Sequence, residues 1–229
     1  MYNVLILDEQ MLVREALGGM VEAFGEFCAV ARAAGEREAL EYLKAHEVDV
    51  VVMEWRLSGM GGIELLQRIK RLRRRPRVVV CTAYFESPLP ARVMQAGADV
   101  LVSRNVAPSE FEHALRCAVR GATYISQDVQ PDYIAATLQR GANDNPFGEL
   151  SDREFQVLMM YVEGDPIKDI AARLCISPKT VCTYRYRACE KLGVKGEAAL
   201  ARLALRYGLM EPQIRPTSFR GPAGVTYNA

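Results

Sequence analysis

The chain has 229 residues, half of them apolar, enough for one large or two small cored domains, and this excludes disorder as the default state. Lysine plus arginine (29) nearly balances aspartate plus glutamate (28), so any affinity for nucleic acid must come from a local patch. No apolar run approaches the roughly 18–20 residues of a membrane span. Met1 leads directly into YNVLILDE with no charged leader, which predicts a cytoplasmic chain without a signal peptide.

The first half alternates short apolar runs with helical patterns. YNVLIL (2–7), FCAVARA (27–33), VDVVVM (48–53), RVVVCT (77–82) and ADVLVS (98–103) read as strands. MLVREALGGMVEAF (11–24), EREALEYLKAH (36–46) and the stretches 62–74, 88–96 and 108–120 read as helices. Five continuously apolar strands alternating with five helices predict an α/β fold, a parallel doubly wound sheet covered on both faces. Chemistry in such sheets collects beyond the carboxyl ends of the strands. Those ends carry Asp8 and Glu9, Glu54, Thr82, and Ser103 with Arg104. Three carboxylates on one rim repel each other unless a cation sits among them. Magnesium on Asp8, Glu9 and Glu54 is one such cation; a guanidinium is another; a solvated acidic rim is the plain alternative. The run RIKRLRRRPR (68–77) is either a solvated surface, its cations favouring the negative end of a helix, or a docking surface for an acidic partner.

Past residue 122 the pattern changes. Pro131 suits the first turn of a helix through about Arg140, with Gly141 as its cap. GANDNPFGE (141–149) is polar and turn-rich and reads as a hinge. Ser151 and Glu154 form a capping box that opens a helix through about Val162. Asp165 is placed to cap a next helix, with Pro166 in its first turn and Ile167, Ile170, Ala171 and Leu174 on one face. Cys175 and Ile176 make a break. Ser177 caps a further helix, with Pro178 at its first position. On that helix Val181, Tyr184, Ala188 and Leu192 form an apolar back. Lys179, Cys182, Thr183, Tyr186 and Glu190 line the front, with Arg187 at its edge. A cationic, hydrogen-bonding front suits a DNA major groove; the plain alternative is an amphipathic pair with a solvated face. Within that reading Cys182, Thr183 and Tyr186 face bases, Lys179, Arg187 and Lys191 touch phosphates, and Arg185 lies toward the core. GEAALARLALRYG (196–208) makes a fourth helix whose apolar residues wrap more than half its circumference, leaving one face for a second subunit. Residues 211–229 have no periodicity and read as a mobile tail. The expected division is therefore 1–122, a linker with a helix over 123–147, a helical domain over 148–210, and the tail.

The six cysteines (28, 81, 117, 175, 182, 189) show no CxxC pair and no histidine at ligand spacing. They are expected to be small buried hydrophobes, except Cys182 on the helix front, where redox sensing is the alternative. No Walker loop, zinc motif or catalytic triad occurs, so an independent enzyme is not expected.

The stretch from LSDREFQ to LALRYGL resembles the LuxR-type helix-turn-helix module of bacterial response regulators; SPKTV, YRYR and KLGV within it are most like the GacA/UvrY branch. The acid pair Asp8-Glu9, VDVVVMEWRLSGMGG, CTAY and QAGADVLVSRN resemble a response-regulator receiver domain of the flavodoxin/CheY-like kind. The resemblance spans about residues 2–210 and identifies the chain as a two-component response regulator of the LuxR/FixJ (NarL-type) family. It implies a homodimer, Lys179, Thr180, Cys182, Thr183, Tyr186, Arg187 and Lys191 at the DNA, a double-stranded promoter site with an inverted repeat, and a sensor kinase or other regulatory protein as partner.

The chain departs from that family in the pocket. Glu54 stands where the family pattern has the phospho-accepting Asp, and Arg104 where it has Lys. Leu101 takes the place of an aromatic switch residue, and Ser58 that of a Pro. Thr82 and the Asp8-Glu9 pair fit the pattern. A glutamate one methylene longer than aspartate pushes its oxygens toward the phosphoryl position, where in-line transfer tolerates errors of only fractions of an ångström. The planar fork of Arg104 matches a carboxylate. An ion pair between Glu54 and Arg104 is therefore expected to mimic or replace the phosphorylated state, unless Arg56 reaches the same acids instead. The primary reading is a DNA-binding regulator with an atypical receiver that works without standard phosphorylation. The alternatives are a conventional phosphorelay-activated regulator of small regulatory RNA genes, and a protein-interaction regulator without DNA binding.

Overall fold

A computed structural model describes residues 1–57, 61–83, 89–138 and 146–206. Ser58, the Gly141 cap, the end of the linker helix and the 211–229 tail lie outside the described residues. Strands β1 (Tyr2–Leu7), β2 (Phe27–Ala33), β3 (Val50–Met53), β4 (Arg77–Thr82) and β5 (Val100–Ser103) alternate with helices α1 (Met11–Ala23), α2 (Glu36–Ala45), α3 (Gly62–Lys70), α4 (Leu89–Ala96) and α5 (Pro108–Val119). The sheet is parallel throughout, as the apolar runs require. It carries a sixth strand that the sequence reading did not identify, β6 (Tyr124–Ile125), beside β5, giving the order β2-β1-β3-β4-β5-β6. Two residues are too few to show a period.

The pleat sorts the strand side chains into two cores. Leu5, Leu7, Val51 and Met53 face α2, α3 and α4, through Leu43, Leu65, Leu66, Ile69 and Val93. Val4, Ile6, Val50 and Val52 face α1 and α5, through Val21, Phe111, Leu115 and Ala118. All of these are buried, and each core side chain contributes roughly 1.5–3 kcal/mol of transfer free energy. Gly62 starts α3 under the β3 exit: a Cβ there would lie 2.0 Å from the Trp55 carbonyl oxygen, which accepts the Gly62 N–H at 2.9 Å.

Helix α6 (Gln130–Leu138) follows, with Val129 buried beside it. Part of the expected hinge is core instead: Pro146–Glu149 forms a 3₁₀ turn whose Phe147 is fully buried. Helices α7 (Asp152–Val162), α8 (Ile167–Arg173), α9 (Pro178–Lys191) and α10 (Glu197–Arg206) complete the chain. The capping box on α7 forms as the sequence predicts: Ser151 Oγ accepts the Glu154 N–H, and Glu154 Oε2 accepts the Ser151 N–H. Asp165 does not cap α8. Pro166 holds the cap position, and the Asp165 carboxylate pairs with Arg173 at 2.7 Å instead. Among the described residues, no helix is long and apolar enough to cross a membrane.

One further expectation needs correcting. The cysteines are not uniformly buried: Cys81 is, Cys28, Cys117, Cys182 and Cys189 are half-buried, and Cys175 is exposed at the left-handed turn between α8 and α9. Burial pushes the Cys81 thiol up to about 12. In the 68–77 run Arg68, Arg71, Arg73, Arg74, Arg75 and Arg77 are exposed, in keeping with a solvated surface, and several of its cations pair with nearby acids. Arg68 pairs with Glu64, Arg74 with Glu47, and Lys70 and Arg77 both with Asp99.

Candidate receiver pocket and nucleic-acid interface

Strand ends β1, β3, β4 and β5 deliver Asp8, Glu54, Thr82 and Ser103–Arg104 to one rim. Asp8, Glu54, Thr82 and Ser103 are all buried, although each is polar. Backbone bonds fix the rim beyond the last strand residues, with Glu54 N–H on the Leu7 carbonyl at 3.1 Å and Arg104 N–H on the Thr82 carbonyl at 2.9 Å. Buried acids need partners, and here the partner is Arg104. Its Nη2 pairs with Asp8 Oδ2 and lies 2.9 Å from Glu54 Oε2. The other Glu54 oxygen, Oε1, accepts the N–H groups of Trp55 (2.8 Å) and Arg56 (3.1 Å). Asp8 Oδ1 accepts the Gln10 N–H at 2.8 Å.

The pair is thus not the two-pronged fork expected from the sequence. A single nitrogen bridges two carboxylates, while Arg104 Nε is buried with no partner among the described residues. Burial pushes the Glu54 carboxyl above its ordinary value. Arg104, the Arg56 amide and a hydrogen bond from Thr82 hold it down against that push, and Asp8 adds to it.

A magnesium site on Asp8, Glu9 and Glu54 does not fit this donor set. Glu9 is exposed, and the guanidinium stands between the other two acids. Among the described residues no three His, Cys, Asp or Glu side chains gather to hold a metal ion. Arg56 also departs from expectation: its guanidinium pairs with Glu163 at the end of α7, and it is its backbone amide that reaches Glu54. Leu101, at the position of the family's aromatic switch, is fully buried.

In the second unit, α9 is capped by Ser177, whose Oγ accepts the Thr180 N–H at 3.1 Å and meets the Thr180 hydroxyl at 2.8 Å. Val181 and Ala188 are fully buried, and Tyr184 packs against the α7–α8 core. That fixes the opposite face outward. Lys179, Thr183, Tyr186 and Arg187 are exposed, Tyr186 at 67%, while Thr180 and Cys182 are half-buried at the edge. The Thr183 hydroxyl donates to the Lys179 carbonyl at 2.9 Å, a bond back along its own helix. Arg185 lies 4.8 Å over the Tyr161 ring, on the core side as its place on the wheel requires.

Lys191, at the end of α9, is exposed but already engaged. Its Nζ donates to Glu154 Oε2 at 2.6 Å and to the Glu149 carbonyl at 3.2 Å, so it is held by the α7 capping box. The sequence shows Lys191 as a cation at the end of α9; that Glu154 is buried and awaiting a cation is a tertiary fact. The Glu163 partner of Arg56 and the Asp152 partner of Arg92 on α4 were missed for the same reason.

Comparison with known proteins agrees with this architecture. Residues 4–116 match the response regulator receiver domain, and residues 148–204 match the bacterial regulatory proteins of the luxR family. The response regulator UvrY of Escherichia coli O6:H1 is 36% identical over 91% of this chain and 96% of its own length. The response regulator GacA of Pseudomonas viridiflava is 34% identical over 92% of this chain and 99% of its own. The solved RcsB response regulator of Salmonella typhimurium has the same fold, with a TM-score of 0.70 at 22% identity over 90% of this chain and 98% of that one. The chain belongs to the DNA-binding, LuxR-type response regulators of two-component systems, of the UvrY and GacA kind.

Proposed function

We propose that this protein is a sequence-specific regulator that binds double-stranded promoter DNA as a homodimer on an inverted repeat, with its receiver held in one state by its own side chains instead of being switched by phosphorylation. The observation that carries this reading is the Arg104 bridge. The guanidinium pairs with Asp8 and Glu54 at once, supplying from the chain itself a positive charge between the two acids. Glu54 also lacks the free oxygen of a nucleophile: Oε1 is taken by two backbone amides and Oε2 by Arg104. Thr82 bonds to Glu54, the contact a switch threonine would make on a phosphoryl oxygen. Leu101 has no ring to swing and no hydroxyl to expose, so coupling from pocket to surface has no aromatic lever.

On the DNA side, Thr183 and Tyr186 read bases with Cys182 beside them, and Lys179 and Arg187 contact phosphates, with Thr180 at the capped end of α9. The test is binding of the full chain to duplexes selected from a random pool, at graded salt, with and without acetyl phosphate and magnesium. Affinity for the selected site well above that for scrambled duplex, unchanged by the phosphodonor, is the expected result. Equal affinity for both duplexes overturns specific reading. Stoichiometric labelling of the wild-type chain that Glu54→Gln abolishes overturns the locked pocket.

A further inference from the structure

Helix α7 is held to the receiver at both of its ends. At the start, Arg92 of α4 donates from Nη1 to Asp152 Oδ1 at 3.1 Å and from Nη2 to the carbonyls of Phe147 (2.8 Å) and Leu150. The Arg92 guanidinium also lies 4.6 Å over the Phe155 ring. At the far end, Arg56 pairs with Glu163. Between these points Gln156 donates to the Leu57 carbonyl at 3.4 Å, and Arg153 stands 3.5 Å from Glu64. Two anchors about one 11-residue helix apart, roughly 16 Å at 1.5 Å per residue, fix an axis as well as a point.

The seam is apolar underneath. Trp55, Leu65 and Val93 of the receiver share one continuous core with Phe147, Phe155 and Leu158. Arg92 and Arg56 are mostly buried, with side chains 11% and 17% exposed, so their pairs are screened less than surface ones. The seam retains a cavity of about 30 Å³ beside Trp55, large enough for a water, and the Trp55 indole N–H is buried with no partner among the described residues.

The outward face of α9 takes no part in this. Among the described residues no hydrogen bond or ion pair joins Lys179, Thr183, Tyr186 or Arg187 to the receiver, and all four are exposed. We infer that the receiver is a fixed platform that presents the recognition helix, with α7 as the docked element, and not a cover that must be lifted from it. The platform is also tied to the pocket, because the Arg56 that grips Glu163 donates its own N–H to Glu54. The DNA arm of this inference rests on the reading above; the docking itself does not.

The test compares the full chain with the Arg92→Ala/Glu163→Gln variant. Small-angle scattering reports separation of the two units, and the emission of Trp55, the chain's sole tryptophan, reports opening of the seam. Binding to a mixed-sequence duplex at low salt reports access to α9. Scattering should give a larger radius of gyration and emission should shift to the red, while duplex affinity stays unchanged or weakens. Release of a cover would instead remove a conformational penalty, and a tightening of about tenfold or more would overturn the platform. No change in either size or emission would equally overturn it. Should the double variant lose helix content by circular dichroism, Arg92→Lys, which keeps the charge and loses the grip on two carbonyls, decides by the same readouts. A wild-type chain that binds no duplex defeats the DNA reading while scattering and emission still decide the docking.

Discussion

The Arg104 nitrogen that pairs with Asp8 also stands 2.9 Å from Glu54 Oε2, so one edge of a guanidinium bridges two buried acids. Removing it strands both. Arg104→Met should therefore cost about 3–5 kcal/mol of stability at neutral pH, the usual penalty for breaking a buried pair from one side. The sign of the pH dependence follows from Glu54. Burial already raises its folded value, so its favourable contribution is complete below the ordinary glutamate range and fades as pH rises through the folded value. Without Arg104 that value moves higher still. The Arg104→Met penalty should grow from acid to neutral pH in urea unfolding, and a penalty flat across that range would contradict the bridge.

Lys179 and Lys191 sit one and four helical turns along the same helix, yet they should behave differently. Lys179 is exposed on the outward face, whereas Lys191 is bonded to Glu154 and the Glu149 carbonyl. Lys179→Ala should weaken binding to all duplexes and reduce the slope of log affinity against log salt by about one. Lys191→Ala should leave the slope alone and lower stability by about 1–3 kcal/mol, the cost of leaving a buried charged acceptor unpaired. Salt titrations of both variants, with unfolding curves beside them, separate the two roles.

That contrast marks how far the sequence carries. Strands β1, β3, β4 and β5 were legible because Val, Ile and Leu run together where both faces are covered, β2 from the apolar residues around its single Arg32, and the capping box on α7 because its two partners are three residues apart. The front and back of α9 followed from its period. The two-residue β6 had no period to read. The partners of Lys191, Arg56 and Arg92 were missed because Glu154, Glu163 and Asp152 lie 37, 107 and 60 residues away. The pocket shows both sides of this. Its members could be named from the strand ends, but the bridging by one Arg104 nitrogen depends on how far Asp8 and Glu54 stand apart, which only packing sets.

Glu154 should make the helical unit sensitive to acid. Burial pushes its carboxyl up, but hydrogen bonds from Lys191 and from the Ser151 amide and hydroxyl outweigh that and hold it below the ordinary value. A lowered folded value contributes stability that is present above the unfolded glutamate value of about 4.3 and is lost as pH falls below it. Glu154→Gln cannot accept the same charge-assisted bonds. The wild-type chain should lose its advantage over Glu154→Gln as pH drops from 6 toward 3, followed by thermal unfolding at each pH. A constant difference would mean that the capping box stabilises through geometry alone.

Thr183 tests base reading most directly, because it is exposed on the outward face but carries no charge. Its hydroxyl donates to the Lys179 carbonyl at 2.9 Å, which leaves its lone pairs to accept from a base edge and its methyl to meet a thymine. Thr183→Ala keeps a good helix former in place and removes no cation. The salt slope should therefore stay as in wild type, while the difference between a selected site and its single-base variants shrinks at one position by about 1–3 kcal/mol. If Thr183→Ala instead lowers affinity for all sequences equally, the side chain positions the helix on the backbone and the reading falls to Tyr186 and Cys182. Competition with a panel of single-base variants, at one fixed salt concentration, distinguishes these outcomes.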